Sequence, residues 1–151
     1  MVQIRKAERK DLAAIVAMLA DDQLGLSREV VSDPVDARYV EAFSAIDADP
    51  NQLLAVVLSE AGEVIGCLQL SFLPGLSRLG LWRGQIESVR IAASQRGSGL
   101  GHEMMSWAIE ECRKRGCGLV QLASDKRRED ALRFYEQLGF EASHEGFKLS
   151  L

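Results

Sequence analysis

Between an alternating, β-branched run and an amphipathic segment the chain places Arg96-Gly97-Ser98-Gly99-Leu100-Gly101. Glycines let a backbone approach a bound anion closely, and the first N–H groups of a helix, with its dipole, favour negative charge. A phosphate-bearing ligand suits this arrangement; a tight glycine turn between a strand and a helix is the plain alternative. Glu87 lies in the preceding run, where simple alternation puts it on the same face as Val89 and Ile91. That is an unfavourable place for a carboxylate if the face is core, so either a bulge rotates it or the face opens into a cleft. A partly desolvated glutamate there is a suitable proton acceptor, the alternative being a surface glutamate paired with Arg83 or Arg90. Tyr135 carries a phenol, with a pKa near ~10, that could donate a proton to a leaving group. It also sits on an apolar stripe with Ala131, Phe134 and Leu138, as a core aromatic with one satisfied hydroxyl would.

The elements that must position these groups follow from hydrophobic period. Val2 to Ala7 reads as a short strand. Asp11 is placed to cap a helix carrying Leu12, Ile15, Val16 and Leu19 at helical spacing. A polar loop, Leu24 to Pro34, precedes a second helix over Asp36 to Ile46, which Asp49-Pro50-Asn51 ends. Leu53 to Leu58 and Val64 to Leu73 form two strands joined as a hairpin. Pro74 to Gly84 is loop-like but carries Leu76, Leu79, Leu81 and Trp82; such side chains either tuck onto the core or form a substrate lid or subunit contact. The central strand, with Ile86, Val89 and Ile91, runs from about Gln85. Its helix begins at Leu100, with Met104, Trp107, Ala108 and Cys112 on one face. Leu119 to Ala123 is a short strand, Glu129 to Leu138 a last helix stopped by Gly139, and Glu141 to Leu151 a final strand.

The chain has 151 residues, 47% hydrophobic and 26% charged, with a net charge of −4. That length suits one domain, residues 1–151, with no internal repeat or linker. The acidic balance argues against a nucleic-acid surface, and no apolar run is long enough to span a membrane. Cys67, Cys112 and Cys117 cannot all pair and have no C-x-x-C spacing, so a reducing, cytoplasmic compartment is expected. No grouping of His, Cys or carboxylates suggests a metal; His102 reads as a surface residue, and His144 in the last strand either borders the acceptor pocket or has no part in the site.

Two familiar phosphate loops do not fit. No Gly-Lys pair exists for a Walker loop, and the dinucleotide pattern G-x-G-x-x-G would need glycine where His102 stands. The R-x-x-G-x-G pattern of Arg96, Gly99 and Gly101 instead resembles the acetyl-CoA loop of the GNAT superfamily of N-acetyltransferases. ALRFYEQLGF, Ala131 to Phe140, followed by a terminal strand, is similar to the way such domains close. The resemblance covers the chain from Val2 in element order and is motif-specific from Gln85 to Phe140.

It implies an α/β (α+β) fold: a single GNAT-like domain whose mixed, mostly antiparallel sheet has a splayed parallel strand pair and helices on both faces. It further implies acetyl-CoA as cosubstrate and a small-molecule or peptide amine as acceptor, acetylated by direct attack in a ternary complex. Backbone groups of Val89 and Ile91 would meet the pantetheine arm, and those of Arg96, Gly97, Ser98, Gly99, Leu100 and Gly101 the pyrophosphate. Glu87 would be the base and Tyr135 the acid for the departing thiolate. Where the superfamily often has asparagine, seven residues before that tyrosine, this chain has Arg128; it would meet the CoA phosphates or belong to a solvated run, Lys126-Arg127-Arg128. A homodimer and a non-catalytic acyl-CoA sensor both remain open.

Overall fold

In the computed structural model, which describes residues 2–151, β-branched and leucine-rich runs build five strands. These are β1 (Gln3–Lys6), β2 (Gln52–Leu58), β3 (Val64–Leu73), β4 (Arg83–Ile91) and β5 (Leu119–Leu122), ordered β1-β2-β3-β4-β5. The first four pair antiparallel; β4 and β5 are parallel. The chain forms two compact units, one reaching to Gln121 and the other spanning Leu122–Leu151.

In the first unit the sheet is covered on both faces. Leu54, Val56, Leu58 and Cys67 point to one side, where α1 (Leu12–Ala20) and α2 (Ala37–Ala48) bring Leu12, Ile15 and Phe43 into a common core. Leu68, Leu70, Phe72 and Ile86 belong to the other side, beneath α4 (Leu100–Lys114) with its buried Met104, Met105, Ala108 and Cys112. The approach is close: a Cβ on Gly66 would lie 2.9 Å from the Met104 sulfur, and one on Gly84 2.3 Å from the Cys112 sulfur. Glycine at these two positions lets α4 pack directly on β3 and β4.

The helix starts differ in how they are capped. Asp36 caps α2 as its type suggests, its carboxylate accepting from the Arg38 N–H at 2.9 Å. Asp11 precedes α1 but makes no forward cap. Its carboxylate reaches back instead, accepting from the Glu8 N–H at 2.8 Å and from both Arg5 guanidinium nitrogens at 2.8 and 3.2 Å. Burial would raise this carboxyl, but those bonds outweigh it and hold it below the ordinary carboxylate value.

Between β3 and β4 the chain makes a single turn, α3 (Ser77–Gly80), with left-handed angles at Arg78 and Leu79. Leu76 and Leu79 do not tuck onto the core; both are fully exposed. Leu81 does tuck in, over Gly118.

In the second unit α5 (Glu129–Gln137) begins after an Asp125 turn, and Gly139, at φ 96°, closes it. The Phe140 N–H bonds the Tyr135 carbonyl at 3.1 Å, which satisfies the last turn. The final strand expected over Glu141 to Leu151 is not formed; residues 141–151 have no regular structure and are exposed. Alternating Phe147, Leu149 and Leu151 have strand character, but a strand exists only against a neighbour, and none pairs with this segment among the described residues.

Candidate active site

The apparent conflict at Glu87 is resolved by a bulge. Gln69 faces Glu87 across the β3–β4 ladder and Cys67 faces Arg90, so two residues, Ser88 and Val89, oppose the single Leu68. Ser88 takes a φ of 55°, a left-handed angle uncommon for a residue with a side chain. The Cys67 thiol donates to its carbonyl at 3.7 Å. Because cross-strand partners share a face, Ile86 and Ile91 fall with Leu70 and Gly66 on the α4 side. Glu87 and Arg90 fall with Gln69 and Cys67 on the α1–α2 side. One extra residue therefore keeps Ile86 in the core and leaves Glu87 exposed.

Glu87 is not the surface ion-pair partner of Arg90. The Arg90 guanidinium lies 3.6 Å from Asp22 and donates at 2.9 Å to the Val89 carbonyl. No side-chain hydrogen bond or ion pair holds the Glu87 carboxylate among the described residues. Around it lies a polar ladder that the sequence reading did not single out. The Gln52 side-chain carbonyl accepts from the Gln69 amide at 2.9 Å and the Ser71 hydroxyl at 3.1 Å, and the Gln121 amide donates to Gln85 at 3.1 Å. Its signal was present as Gln69/Ser71 and Gln85/Glu87, polar residues two apart in otherwise apolar strands.

The far edge of β4 is also prepared. The Gly118 N–H bonds the Trp82 carbonyl at 2.9 Å, and Gln121 meets Gln85, so both contacts have the same sequence offset. On that register β5 ends at Leu122, level with Ile86. Beyond it, β4 continues through Val89 and Ile91 with β3 on one side and, among the described residues, no strand on the other. Backbone groups there are open to an extended ligand, as at any sheet edge.

Immediately after this open edge comes the glycine turn. Gly97 and Gly99 take φ of 79° and 86°, and Gly99 is the N-cap of α4 without any side-chain cap. The N–H groups of Gly97, Gly99, Leu100 and Gly101 donate no hydrogen bond among the described residues. Arg96 to Gly99 are exposed, whereas Leu100 and Gly101 are buried. Exposed, undonated amides at a fifteen-residue helix's N-terminus fit a pyrophosphate. Two side chains are engaged elsewhere: the Ser98 hydroxyl donates to the Gln95 carbonyl, and Arg96 lies 3.6 Å from the Asp21 carboxylate.

Tyr135 and Arg128 belong to the second unit. Tyr135 is half-buried, with edge-on contacts to Phe134 and Phe140 at centroid distances of 5.3 and 6.1 Å. Arg128 is the N-cap residue of α5, its N–H bonded to the Asp125 carbonyl at 2.9 Å. His102 and His144 are exposed. Burial pushes the thiols of Cys67 and Cys112 up, to about 12 and about 11, so neither is a ready thiolate nucleophile. No group of three or more His, Cys, Asp or Glu among the described residues could hold a metal ion, and no helix is long and apolar enough to cross a membrane.

A bulged strand with an open edge, running into a glycine turn and an uncapped helix, suits an acyl-CoA-dependent acyltransferase. The chain belongs to the acetyltransferase (GNAT) family, whose model matches residues 16–140. It is 29% identical to the aminoalkylphosphonate N-acetyltransferase of Salmonella typhimurium over 99% of this chain and 91% of that protein. It is also 38% identical to the glucosamine 6-phosphate N-acetyltransferase of Trypanosoma brucei brucei, over 60% of this chain and 59% of the other. A solved structure of a Bacillus halodurans protein, called a transcriptional regulator, is 49% identical, covers all of both chains and superposes with a TM-score of 0.97.

Proposed function

We propose that the chain transfers the acetyl group of acetyl-CoA to the primary amine of a small molecule, by direct attack in a ternary complex in the cytoplasm. The observation that carries this reading is the Ser88 bulge, which presents an unpaired carboxylate beside an open strand edge and an undonated amide loop. The bound thioester supplies the activated acyl group. The loop from Arg96 to Gly101 binds the pyrophosphate, and Val89 and Ile91 orient the pantetheine arm by backbone hydrogen bonds. Glu87 accepts the ammonium proton, directly or through water, and the Tyr135 hydroxyl donates to the departing sulfur. Arg128 contributes charge toward the CoA phosphates. Gln52, Gln69, Ser71 and Gln85 offer neutral donors and acceptors to the acceptor molecule. The two curated relatives named above act, by their names, on amines that also carry a phosphonate or a phosphate.

Thermal shift tests the cofactor assignment. Acetyl-CoA should raise Tm by mass action and NAD should do much less. Gly99→Asp, which adds a charge and a side chain at φ 86°, should abolish the shift; an equal response to NAD would remove the assignment.

A second reading, a non-catalytic acyl-CoA-binding regulator, draws on the name of the Bacillus halodurans relative. It requires binding without turnover and tolerance of changes at Glu87 and Tyr135.

A further inference from the structure

One face of the sheet in the first unit carries two side chains of opposite charge and no partner for either. Partners across the β3–β4 ladder set Leu73 beside Arg83, Ser71 beside Gln85 and Gln69 beside Glu87, so Arg83, Gln85 and Glu87 line up on the α1–α2 side of β4. Arg5 and Arg90 face the same side through their pairing with Val56 and Cys67. An aspartate holds each of those two: Asp11 lies 2.8 Å from the Arg5 guanidinium and Asp22 lies 3.6 Å from that of Arg90. The Arg83 side chain is partly buried, yet it has no hydrogen bond or ion pair among the described residues.

Taking a guanidinium partly out of water costs free energy, which a bound anion would offset. Glu87 is not that anion: no ion pair joins the two, and four residues of extended strand separate their Cα atoms by about 13 Å. What lies between them is neutral. Gln85 stands midway, with Ser71 and Gln69 next to it on β3. The Gln69 amide donates to Gln52, and the Gln85 side-chain carbonyl accepts from Gln121. That leaves the Gln69 side-chain carbonyl and the Gln85 side-chain amide without a bond among the described residues. Along one strand face the order is therefore cation, neutral donor and acceptor, anion.

We propose that Arg83 binds an anionic group of the acceptor, so that the amine acetylated here carries a phosphonate, phosphate or carboxylate at its far end. The ammonium meets Glu87, the anion meets the Arg83 guanidinium fork, and the middle of the molecule lies over Gln85 and Gln69. With side chains standing out from the sheet, about 3 Å for a hydrogen bond at each end leaves about 7 Å between the two charges of the ligand. Aminobutylphosphonate and δ-aminovalerate have that span when extended. The place of the ammonium rests on the acetyl-transfer reading above; capture of the anion by Arg83 does not.

Thiol-release rates should be compared for aminobutylphosphonate, δ-aminovalerate and pentylamine, the last having similar length and no anion. The kcat/KM of at least one anionic amine should exceed that of pentylamine, and the larger of the two identifies the anion. Arg83→Gln should lower the ratio of anionic to neutral kcat/KM by roughly 10- to 100-fold, mainly through the acceptor KM, as expected for loss of a charge-assisted hydrogen bond. Arg83→Lys should recover part of the ratio, because a point charge remains and the fork does not. Aminomethylphosphonate is too short to reach both charges and should show no such dependence. A wild-type preference for pentylamine over both anionic amines, or a ratio that Arg83→Gln leaves unchanged, would overturn the proposal. Calorimetry on protein saturated with CoA separates this site from the acetyl-transfer reading. The preferred anionic amine should bind the wild type more tightly than the Arg83→Gln variant by the same factor, while both proteins keep their thermal shift with acetyl-CoA. Binding that depends on Arg83, with no turnover of any amine, would remove acetyl transfer and support the site. Failure of both anionic amines to bind would overturn the site, whatever other amine the protein acetylates.

Discussion

Glu87→Gln separates chemistry from structure with the fewest side effects. The substitution keeps the shape of the side chain and removes only its ability to ionise. Glu87 is exposed and takes part in no side-chain hydrogen bond or ion pair among the described residues, so folding stability should change by no more than about 0.5 kcal/mol. The glycine loop lies beyond Ala92 and makes no hydrogen bond or ion pair with this carboxylate among the described residues, so the Tm rise with acetyl-CoA should persist. Turnover should fall by roughly 10²–10⁴-fold, the usual loss for a general base, or about 2.7–5.5 kcal/mol in barrier height. The assay is thiol release under saturating acetyl-CoA across a pH series. The variant should turn over more slowly than the wild type at every pH in the series. Unchanged kcat across the series would refute the assignment and mean that the amine gives its proton to bulk water before binding. A drop in Tm of several degrees would refute the structural premise that nothing depends on this side chain.

Two further substitutions test other parts of the molecule. Tyr135→Phe keeps the edge-on contacts with Phe134 and Phe140. It should cost at most about 1 kcal/mol of stability while lowering turnover by roughly 10²-fold, measured by denaturation and thiol release. Asp11→Asn should destabilise the fold by about 1.5–3 kcal/mol at neutral pH, because the carboxylate is 4% exposed and engaged by Arg5 and the Glu8 N–H. Its pKa is depressed on folding, so this stabilisation is present above the ordinary value of 3.8 and is lost as pH falls through the lower folded value. Denaturation between pH 7 and 3 should therefore show the wild type converging toward the variant in acid.

The strands of the first unit and its helices α1, α2 and α4 were legible because each had a strong period and a stop signal, as in Leu12–Ala20 after Asp11 or Val64–Leu73 before Pro74, whereas the single turn α3 was read as loop. The glycine turn was legible as a turn into a helix because Gly97 and Gly99 immediately precede the switch to helical spacing at Leu100. The bulge was not: nothing about serine forces a φ of 55°, and the angle comes from keeping Ile86 and Ile91 in one core while Cys67 supports the carbonyl. Only the misfit of Glu87 with its neighbours betrayed it. Asp11 was expected as a forward cap, but Arg5 and the Glu8 N–H compete for the same oxygens and prevail. Leu76 and Leu79 left open whether the segment tucks in; left-handed angles at Arg78 and Leu79 turn them outward. The tail was read as a strand from alternation alone, and alternation says which face is apolar without naming the strand beside it.

Amine-dependent release of CoA thiol is the most direct measurement of what this chain does. Purified protein with acetyl-CoA should be offered simple amines, amino acids, polyamines, aminoglycosides, peptide N-termini, and aminophosphonates and amino-sugar phosphates of the kinds named for its relatives. At least one amine should give saturable thiol release that Glu87→Gln suppresses while the acetyl-CoA thermal shift remains. A full acetyl-CoA shift with no release above background for any amine would contradict the enzyme and favour the regulator.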